Sequence, residues 1–148
     1  MYGKPDGRAV ARRSIPGVSS TTVPPTVAAW HAIVAGKDAD RIAGLLADGV
    51  VFRSPAVFTP QAGREKATAY LTAAMAVLSP TLRYEREWYA EDSAVLEFTA
   101  EVDGLTVHGI DMIRWDAAGL LAEFTVMVRP LRGLQQLVTR MSALLQQG

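Results

Sequence analysis

Carboxylates are the side chains most able to do chemistry in this chain, because other reactive groups are scarce. Its 148 residues contain no cysteine and two histidines, His31 and His108. We therefore expect no disulfide, no cysteine nucleophile and no metal site. The sequence also lacks the patterns of phosphate-binding loops, serine-hydrolase elbows and EF-hands. The composition favours acid–base chemistry without a cofactor.

One of these carboxylates, Asp111, interrupts an otherwise apolar pattern in the second half of the chain. After Pro80 the hydrophobic period changes from about 3.6 to 2, which predicts strands over residues 82–89, 95–102, 105–115 and 120–128. Asp103-Gly104 is typical of a two-residue hairpin turn. That turn sets Leu96 opposite Asp111, and the residues directly opposed in this way share a face of the sheet.

The face that carries Asp111 is predicted to be apolar. The hairpin pairs Phe98 with Gly109, and a four-residue turn over 116–119 would set Asp111 opposite Phe124 and Gly109 opposite Val126. Every other residue of these pairs is apolar or glycine. The opposite face is polar and includes His108, for which we expect a surface or interface role.

Burial between apolar neighbours should raise the pKa of Asp111, so that the acid is neutral near pH 7 and can donate a hydrogen bond. Gly109, which has no side chain, favours a cavity beside it. A structural role stays open, in which Asp111 pairs with Arg53 or Arg64, satisfies a backbone group or reaches water.

Two further candidates depend on details that the sequence leaves open. The turn at 91–92 could hold two, three or four residues, and each one-residue change exchanges Tyr84, Arg86 and Trp88 for Glu85 and Glu87 on the inner face. If Glu87 faces inward, it is a second acid near Asp111. His31, beside Trp30 on the first predicted helix, is a second candidate titrating group at the mouth of a pocket.

The elements that must position these residues form an α+β order. We predict a disordered leader over 1–25 and one domain over 26–148. Three helices are expected, one capped by Thr26 and ending at Gly36, one from Asp38 or Asp40 to the turn at 48–49, and one over 64–78. A short strand over 50–55 precedes the third helix, and an amphipathic helix from Leu131 closes the chain. Helices packed on one face of a curved antiparallel sheet are the expected architecture.

Charge and hydropathy exclude several classes of partner. Fifteen basic and fifteen acidic residues give a net charge of zero, so we expect no nucleic acid and no membrane partner. No window approaches the roughly 18 apolar residues of a membrane span. Arg12-Arg13 lacks the apolar segment of a twin-arginine export signal, and we expect a cytoplasmic protein.

Three motifs resemble a known group of proteins. They are W-x5-G-x-D through D-G-V-V-F-R-S-P, A-G-R-E-K-A at the start of the third helix, and H-G-I-D-M-I-R-W-D-A-A-G-L-L-A-E-F-T-V-M. Over about residues 27–130 the chain resembles the NTF2-like superfamily, and within it the SnoaL-like polyketide cyclase and ketosteroid isomerase branch. The resemblance implies a cone-shaped α+β fold with an apolar pocket between the helices and the concave sheet. It also implies a homodimer through the outer face of the sheet.

The resemblance carries only part of the isomerase site. Asp111 falls where ketosteroid isomerases keep a protonated aspartate in the oxyanion hole. Ser54 falls where their aspartate base lies, and Trp30 where an oxyanion-hole tyrosine projects, while Leu46 and Leu71 replace supporting tyrosines. We therefore do not expect steroid isomerisation by that mechanism. The Asp-Arg-Asp set of the limonene-epoxide-hydrolase branch is also missing.

The leading hypothesis is a small-molecule enzyme of the isomerase, cyclase or lyase type, in which Asp111 does acid–base chemistry on a hydrophobic, carbonyl-bearing ligand. The alternative is a non-catalytic module for hydrophobic-ligand binding or dimerisation. An assembly role for the outer face, around Glu101, His108, Arg114 and Met127, is a third possibility. The predicted pocket residues are Trp30, His31, Ser54, Phe58, Leu71, Leu96, Phe98, Gly109, Phe124, Val126 and Val128.

Overall fold

A computed structural model describes residues 22–147, so that most of the predicted leader over 1–25 lies outside the described residues. Four α-helices and six strands follow one another, with a 3-10 turn at Ala39–Arg41. The helices are α1 (Pro25–Gly36), α2 (Ile42–Leu45), α3 (Arg64–Leu78) and α4 (Leu131–Gln146). The strands are β1 (Leu46–Arg53), β2 (Gln61–Ala62), β3 (Arg83–Tyr89), β4 (Ser93–Val102), β5 (Leu105–Trp115) and β6 (Leu121–Arg129).

The sheet is mixed, and the prediction of an antiparallel sheet is wrong in this respect. The six strands lie in the order β2-β1-β6-β5-β4-β3, and β1 runs parallel to β6. The alternating pattern of a strand shows which face it buries but not which distant strand it joins. Hence local sequence signals could not identify this pairing. The other neighbouring strands are antiparallel.

The first and third helices end where the sequence predicts, but the second is only one α-helical turn after the 3-10 turn. The reason is that Leu46 already belongs to β1 and pairs with Leu121, so the chain is extended four residues before the predicted strand. Thr26 does not cap α1, which begins at Pro25. Instead the Thr26 hydroxyl donates to the Gly119 carbonyl at 2.8 Å and ties α1 to the β5–β6 turn.

The β4–β5 hairpin has the predicted register, with Leu96 opposite Asp111. The predicted β5–β6 register is wrong by two residues, since Asp111 pairs with Val126 rather than with Phe124. A five-residue turn and a bulge between Arg114 and Trp115 replace the predicted four-residue turn. A shift of two keeps every side chain on its face, because the side-chain period of a strand is two.

A bulge in β3 answers the question that the sequence left open. The β3–β4 pairing shifts between Tyr84 and Arg86, which lets Tyr84, Glu87 and Tyr89 all turn toward the helices. Arg86 and Trp88 face outward. The inner face therefore carries neither the set Tyr84, Arg86 and Trp88 nor the set Glu85 and Glu87, which were the two predicted alternatives.

The hydrophobic core lies between the inner face of the sheet and the helices. Its fully buried members include Phe52, Phe98 and Phe124 from the sheet and Val27 from α1. From α4, Leu137 and Met141 are buried against this core. Across residues 22–147 no helix is long and apolar enough to cross a membrane.

Candidate active site

Asp111 lies in the middle of β5 on the inner face, and its side chain is 6% exposed. Neither predicted cationic partner reaches it. Arg53 pairs with Glu123 at 3.6 Å, and Arg64 contacts Asp48 at 2.7 Å and donates to the Leu46 carbonyl. No basic side chain within residues 22–147 forms an ion pair with Asp111, which is unusual for a buried carboxyl because an ionised carboxylate loses much of its solvation there.

A chain of hydrogen bonds joins α1 to Asp111 through β3. The indole Nε1 of Trp30 donates to the Tyr84 hydroxyl at 2.8 Å, and that hydroxyl donates to Oδ2 of Asp111 at 2.7 Å. An indole N–H can only donate, so the Tyr84 oxygen accepts from Trp30 and its own proton is available to Asp111. The hydrogen bond from Tyr84 therefore fixes the Oδ2 side of the Asp111 carboxyl.

Burial, with a smaller contribution from the negative charge of Glu87, raises the pKa of Asp111 to about 7, although the hydrogen bond from Tyr84 and the nearby indole N–H of Trp30 act to lower it. Burial also raises the pKa of Tyr84 well above its usual range, with Asp111 adding to the effect. Tyr84 therefore stays a neutral donor at pH 7. Asp111 exchanges its proton near neutrality, as a general acid or base must.

A small apolar cavity of about 40 Å³ opens onto Asp111. It is formed by α1, α3 and the inner face of the sheet, and none of its lining residues is basic. Ligand pockets usually measure about 300–1,000 Å³, so a ligand larger than a few atoms requires lining side chains such as Met75 to move. The lining consists of Trp30, Val34, Leu71, Ala74, Met75, Leu78, Ser79, Leu82, Tyr84, Asp111, Phe124 and Val126.

Four of the predicted pocket residues, Trp30, Leu71, Phe124 and Val126, line this cavity together with Asp111. Leu96 and Phe98 are buried in β4 as part of the sheet beneath it, without lining it. His31 contacts the ring of Tyr84 at the side of the site, with ring centroids 4.7 Å apart.

The structure places four other predicted pocket residues elsewhere. Ser54 lines a groove against α4, and Phe58 in the same loop is fully exposed. Gly109 and Val128 line a depression beside His108. The expectation that Gly109 leaves room next to the acid is wrong, because the Phe98 ring would lie 2.6 Å from a Cβ at this position.

Tyr84 and Glu87, whose facing the sequence leaves open, both lie on the inner face beside Asp111. Glu87 receives the Tyr89 hydroxyl on Oε1 at 2.6 Å, and the same oxygen lies 2.9 Å from His31 Nε2. Tyrosine and glutamate at 84 and 87 have opposite parity in a regular strand. Only a bulge brings both inward, and no residue between them signals one.

His108 lies on the outer face, as its parity predicts. It contacts Glu97, which also accepts two hydrogen bonds from the Arg86 guanidinium, and these partners lower the pKa of Glu97 to about 2. This cluster is on the opposite side of the sheet from Asp111. No group of three or more histidine or acidic side chains among residues 22–147 has the arrangement of a metal site.

A buried acid under helices that pack on one face of a curved mixed sheet defines an NTF2-like, ketosteroid isomerase-like architecture. The chain belongs to the SnoaL-like domain family, whose profile matches residues 27–124. A steroid Δ-isomerase from Pseudomonas aeruginosa is 38% identical, with 82% of this chain and 90% of that chain covered and a TM-score of 0.77.

Other solved structures extend the comparison. An uncharacterised protein from Silicibacter pomeroyi with a cystatin-like fold is 33% identical, with 80% of this chain and 84% of that chain covered and a TM-score of 0.75. SalBIII, an epoxide hydrolase/cyclase-like enzyme of pyran-ring formation in salinomycin, shares the fold at 15% identity and a TM-score of 0.60, with 73% and 90% covered. Among curated proteins, none matches this sequence.

Proposed function

We propose that this protein is a small-molecule enzyme that moves a proton on an uncharged, hydrophobic, carbonyl-bearing ligand, with Asp111 as its acid–base group. The observation that carries the proposal is the pKa of about 7 for a carboxyl that lines an apolar cavity. Isomerases, cyclases and lyases all need such a step. The names of the Pseudomonas isomerase and of SalBIII support this range of reactions.

The proposed step is enolisation. The carboxylate of Asp111 takes a proton from the carbon next to the carbonyl, the C–H electron pair forms a C=C bond, and the carbonyl oxygen becomes an enolate. When a C=C bond adjoins the carbon that loses its proton, the product is a dienolate, and return of the proton to the far end of that C=C bond restores the carbonyl and completes an isomerisation. Acid–base help of this kind contributes about 10²–10⁴ in rate. Since the cavity lining contains no basic residue, an anionic ligand would find no ionic partner there.

The site departs from the isomerase pattern at the residue that would be the second proton-transfer group. Ser54 lies in the groove against α4, and it does not line the Asp111 cavity. We therefore propose a one-carboxyl reaction at Asp111 rather than a two-carboxylate one. Tyr84 and Trp30 orient this carboxyl.

Hydrogen–deuterium exchange tests the proposal without knowledge of the natural substrate. Cyclohexanone in D2O is small, neutral and enolisable, and NMR follows the loss of its α-hydrogens. We expect the protein to accelerate this exchange, with a pH profile that changes near pH 7. Asp111→Asn should remove the acceleration, and Asp92→Asn, on an exposed turn, should keep it.

The alternative, a hydrophobic-ligand-binding module, gives a different result. Binding of 4-nitrophenol, whose absorbance reports its ionisation, would then remain within a few-fold in Asp111→Asn, and neither protein would accelerate the exchange of cyclohexanone. Exchange that is equally fast in wild type and Asp111→Asn would refute the role of Asp111.

We also propose a homodimer through the outer face of the sheet. Trp88, Met112 and Met127 are 46%, 41% and 50% exposed and lie on this face. Exposed apolar side chains grouped on one face are typical of a protein–protein contact.

A further inference from the structure

Glu87 and His31 form a pair beside the site that no step of the proposed reaction uses. His31 is on α1, and Glu87 is on the edge strand β3. Nε2 of His31 lies 2.9 Å from Oε1 and 2.6 Å from Oε2 of Glu87, and the Tyr89 hydroxyl donates to Oε1. The two side chains are 30% and 15% exposed, so the pair lies between the solvent and the interior.

The sheet places this pair in register with Asp111. Glu87 is opposite Leu96, and Leu96 is opposite Asp111, so that both acids lie in one cross-strand row on the inner face. Two strand spacings separate their backbones, which is about 10 Å. Tyr84 fills the space on this side, with its hydroxyl on Asp111 and its ring against the edge of His31.

Few other charged side chains lie near Asp111 and Glu87 among the described residues. Among residues 22–147, the ionisable groups that act directly on Asp111 are Tyr84 and Glu87, both from β3, whereas His31 is connected to it through its contact with Glu87. At the cavity, α1 adds the indole of Trp30, whereas α3 and β6 add apolar side chains such as Leu71 and Val126. Tyr89 and Tyr84 are the ionisable groups in contact with the His31–Glu87 pair among the contacts described. The charge of Glu87 therefore acts on Asp111 through protein rather than through water.

We propose that Glu87 and His31 are positioning residues that set the protonation state of Asp111. The Glu87 carboxylate opposes loss of the proton from Asp111, because a second negative charge nearby is unfavourable in a medium of low polarity. An imidazolium at His31 offsets that charge and has the opposite effect. This inference rests on the proposed function, because the protonation state of Asp111 matters for catalysis only if Asp111 is the acid–base group.

The expected size of the effect follows from Coulomb's law. Two unit charges about 10 Å apart in a protein environment change an acid dissociation constant by about tenfold, which is about one pH unit. A contact that only held α1 against β3 would act differently. Loss of either partner would then loosen the same packing and move Asp111 in the same direction.

The test is a carboxyl carbon-13 NMR titration of the full chain, with the Asp111 signal assigned from its loss in Asp111→Asn. We expect Glu87→Gln to lower the midpoint of Asp111 by about one pH unit and Glu87→Asp to keep it close to wild type. His31→Gln should raise the midpoint, since it removes the imidazole whose Nε2 lies 2.6 Å from Oε2 of Glu87 and offsets its charge. Glu91→Gln, which removes a charge from the exposed β3–β4 turn, should leave it unchanged.

Opposite shifts in Glu87→Gln and His31→Gln support the proposal. An unchanged midpoint in Glu87→Gln, or an unchanged or lower midpoint in His31→Gln, overturns it. Circular dichroism spectra ensure that the variants compared are folded. If Glu87→Gln does not fold, His31→Gln provides the measurement, with an unchanged or lower midpoint as the refuting result. The titration needs no ligand, so its failure is distinguishable from a failure of the exchange assay.

Discussion

Asp111→Asn should change how the stability of this protein depends on pH. In the folded protein the pKa of Asp111 is raised from its ordinary value of 3.8 to about 7. Between these two values the folded chain keeps the proton that the unfolded chain has released. The free energy of unfolding therefore falls as pH rises through this window, by about 1.4 kcal/mol per pH unit for this group.

The raised pKa also gives the total change in the free energy of unfolding across this window. A window of about three units corresponds to about 4 kcal/mol, which is an upper estimate because water entry and relaxation reduce the cost of a buried charge. Asparagine has nearly the same shape, and its side-chain carbonyl can still accept the Tyr84 hydrogen bond. Burial of its amide group lowers the free energy of unfolding by the same amount at every pH, because the amide does not titrate.

Urea denaturation of wild type and Asp111→Asn at pH 4, 5, 6, 7 and 8 measures this effect, because subtraction removes the contribution of every other titrating group. We expect the difference in unfolding free energy, Asn minus Asp, to rise by about 2–4 kcal/mol from pH 4 to pH 8. Asp92→Asn, on an exposed turn, should give a flat difference. A flat difference in Asp111→Asn as well would refute the buried-acid reasoning.

Three further predictions use single variants. Gly109→Ala should destabilise the fold by about 1–3 kcal/mol in urea denaturation, because the added Cβ would lie 2.5 Å from a backbone oxygen. Gly44→Ala, whose Cβ would meet no atom within 4 Å, is the matched control. Equal stabilities of the two variants would contradict the close packing around Gly109. Trp30→Phe should move the pH midpoint of ketone exchange upward, since it removes an N–H that lowers the pKa of Asp111, and a downward shift would be inconsistent with that contact. Met127→Glu should convert a dimer into a monomer in sedimentation velocity, whereas a wild-type monomer would argue against the proposed interface.

The parts of the fold that the sequence could predict are those determined by local signals. The bounds of α3 follow from helical spacing between Gly63 and Ser79-Pro80, and the β4–β5 register follows from Asp103-Gly104. The position of Asp111 on the inner face survived a register error of two residues in β6, because such a shift preserves parity.

The parts that could not be predicted depend on distant contacts or irregular backbone. The parallel pairing of β1 with β6 joins segments about seventy residues apart, and no local pattern encodes it. The bulge in β3 decides that Tyr84 and Glu87 both face inward, and this brings the hydroxyl to Asp111. Phe58 is among the predicted pocket residues, yet its loop leaves it exposed.

The most direct measurement of the central claim is a crystal structure of the protein with 4-nitrophenol, whose hydroxyl oxygen mimics that of an enol. We expect this oxygen within hydrogen-bond distance of the Asp111 carboxyl, with the ring between Phe124 and the side chains of α3. Binding should displace lining residues such as Met75, because the cavity of about 40 Å³ is smaller than the probe. A ring seated in the groove of Ser54 or on the outer face, with the Asp111 cavity unchanged, would contradict it.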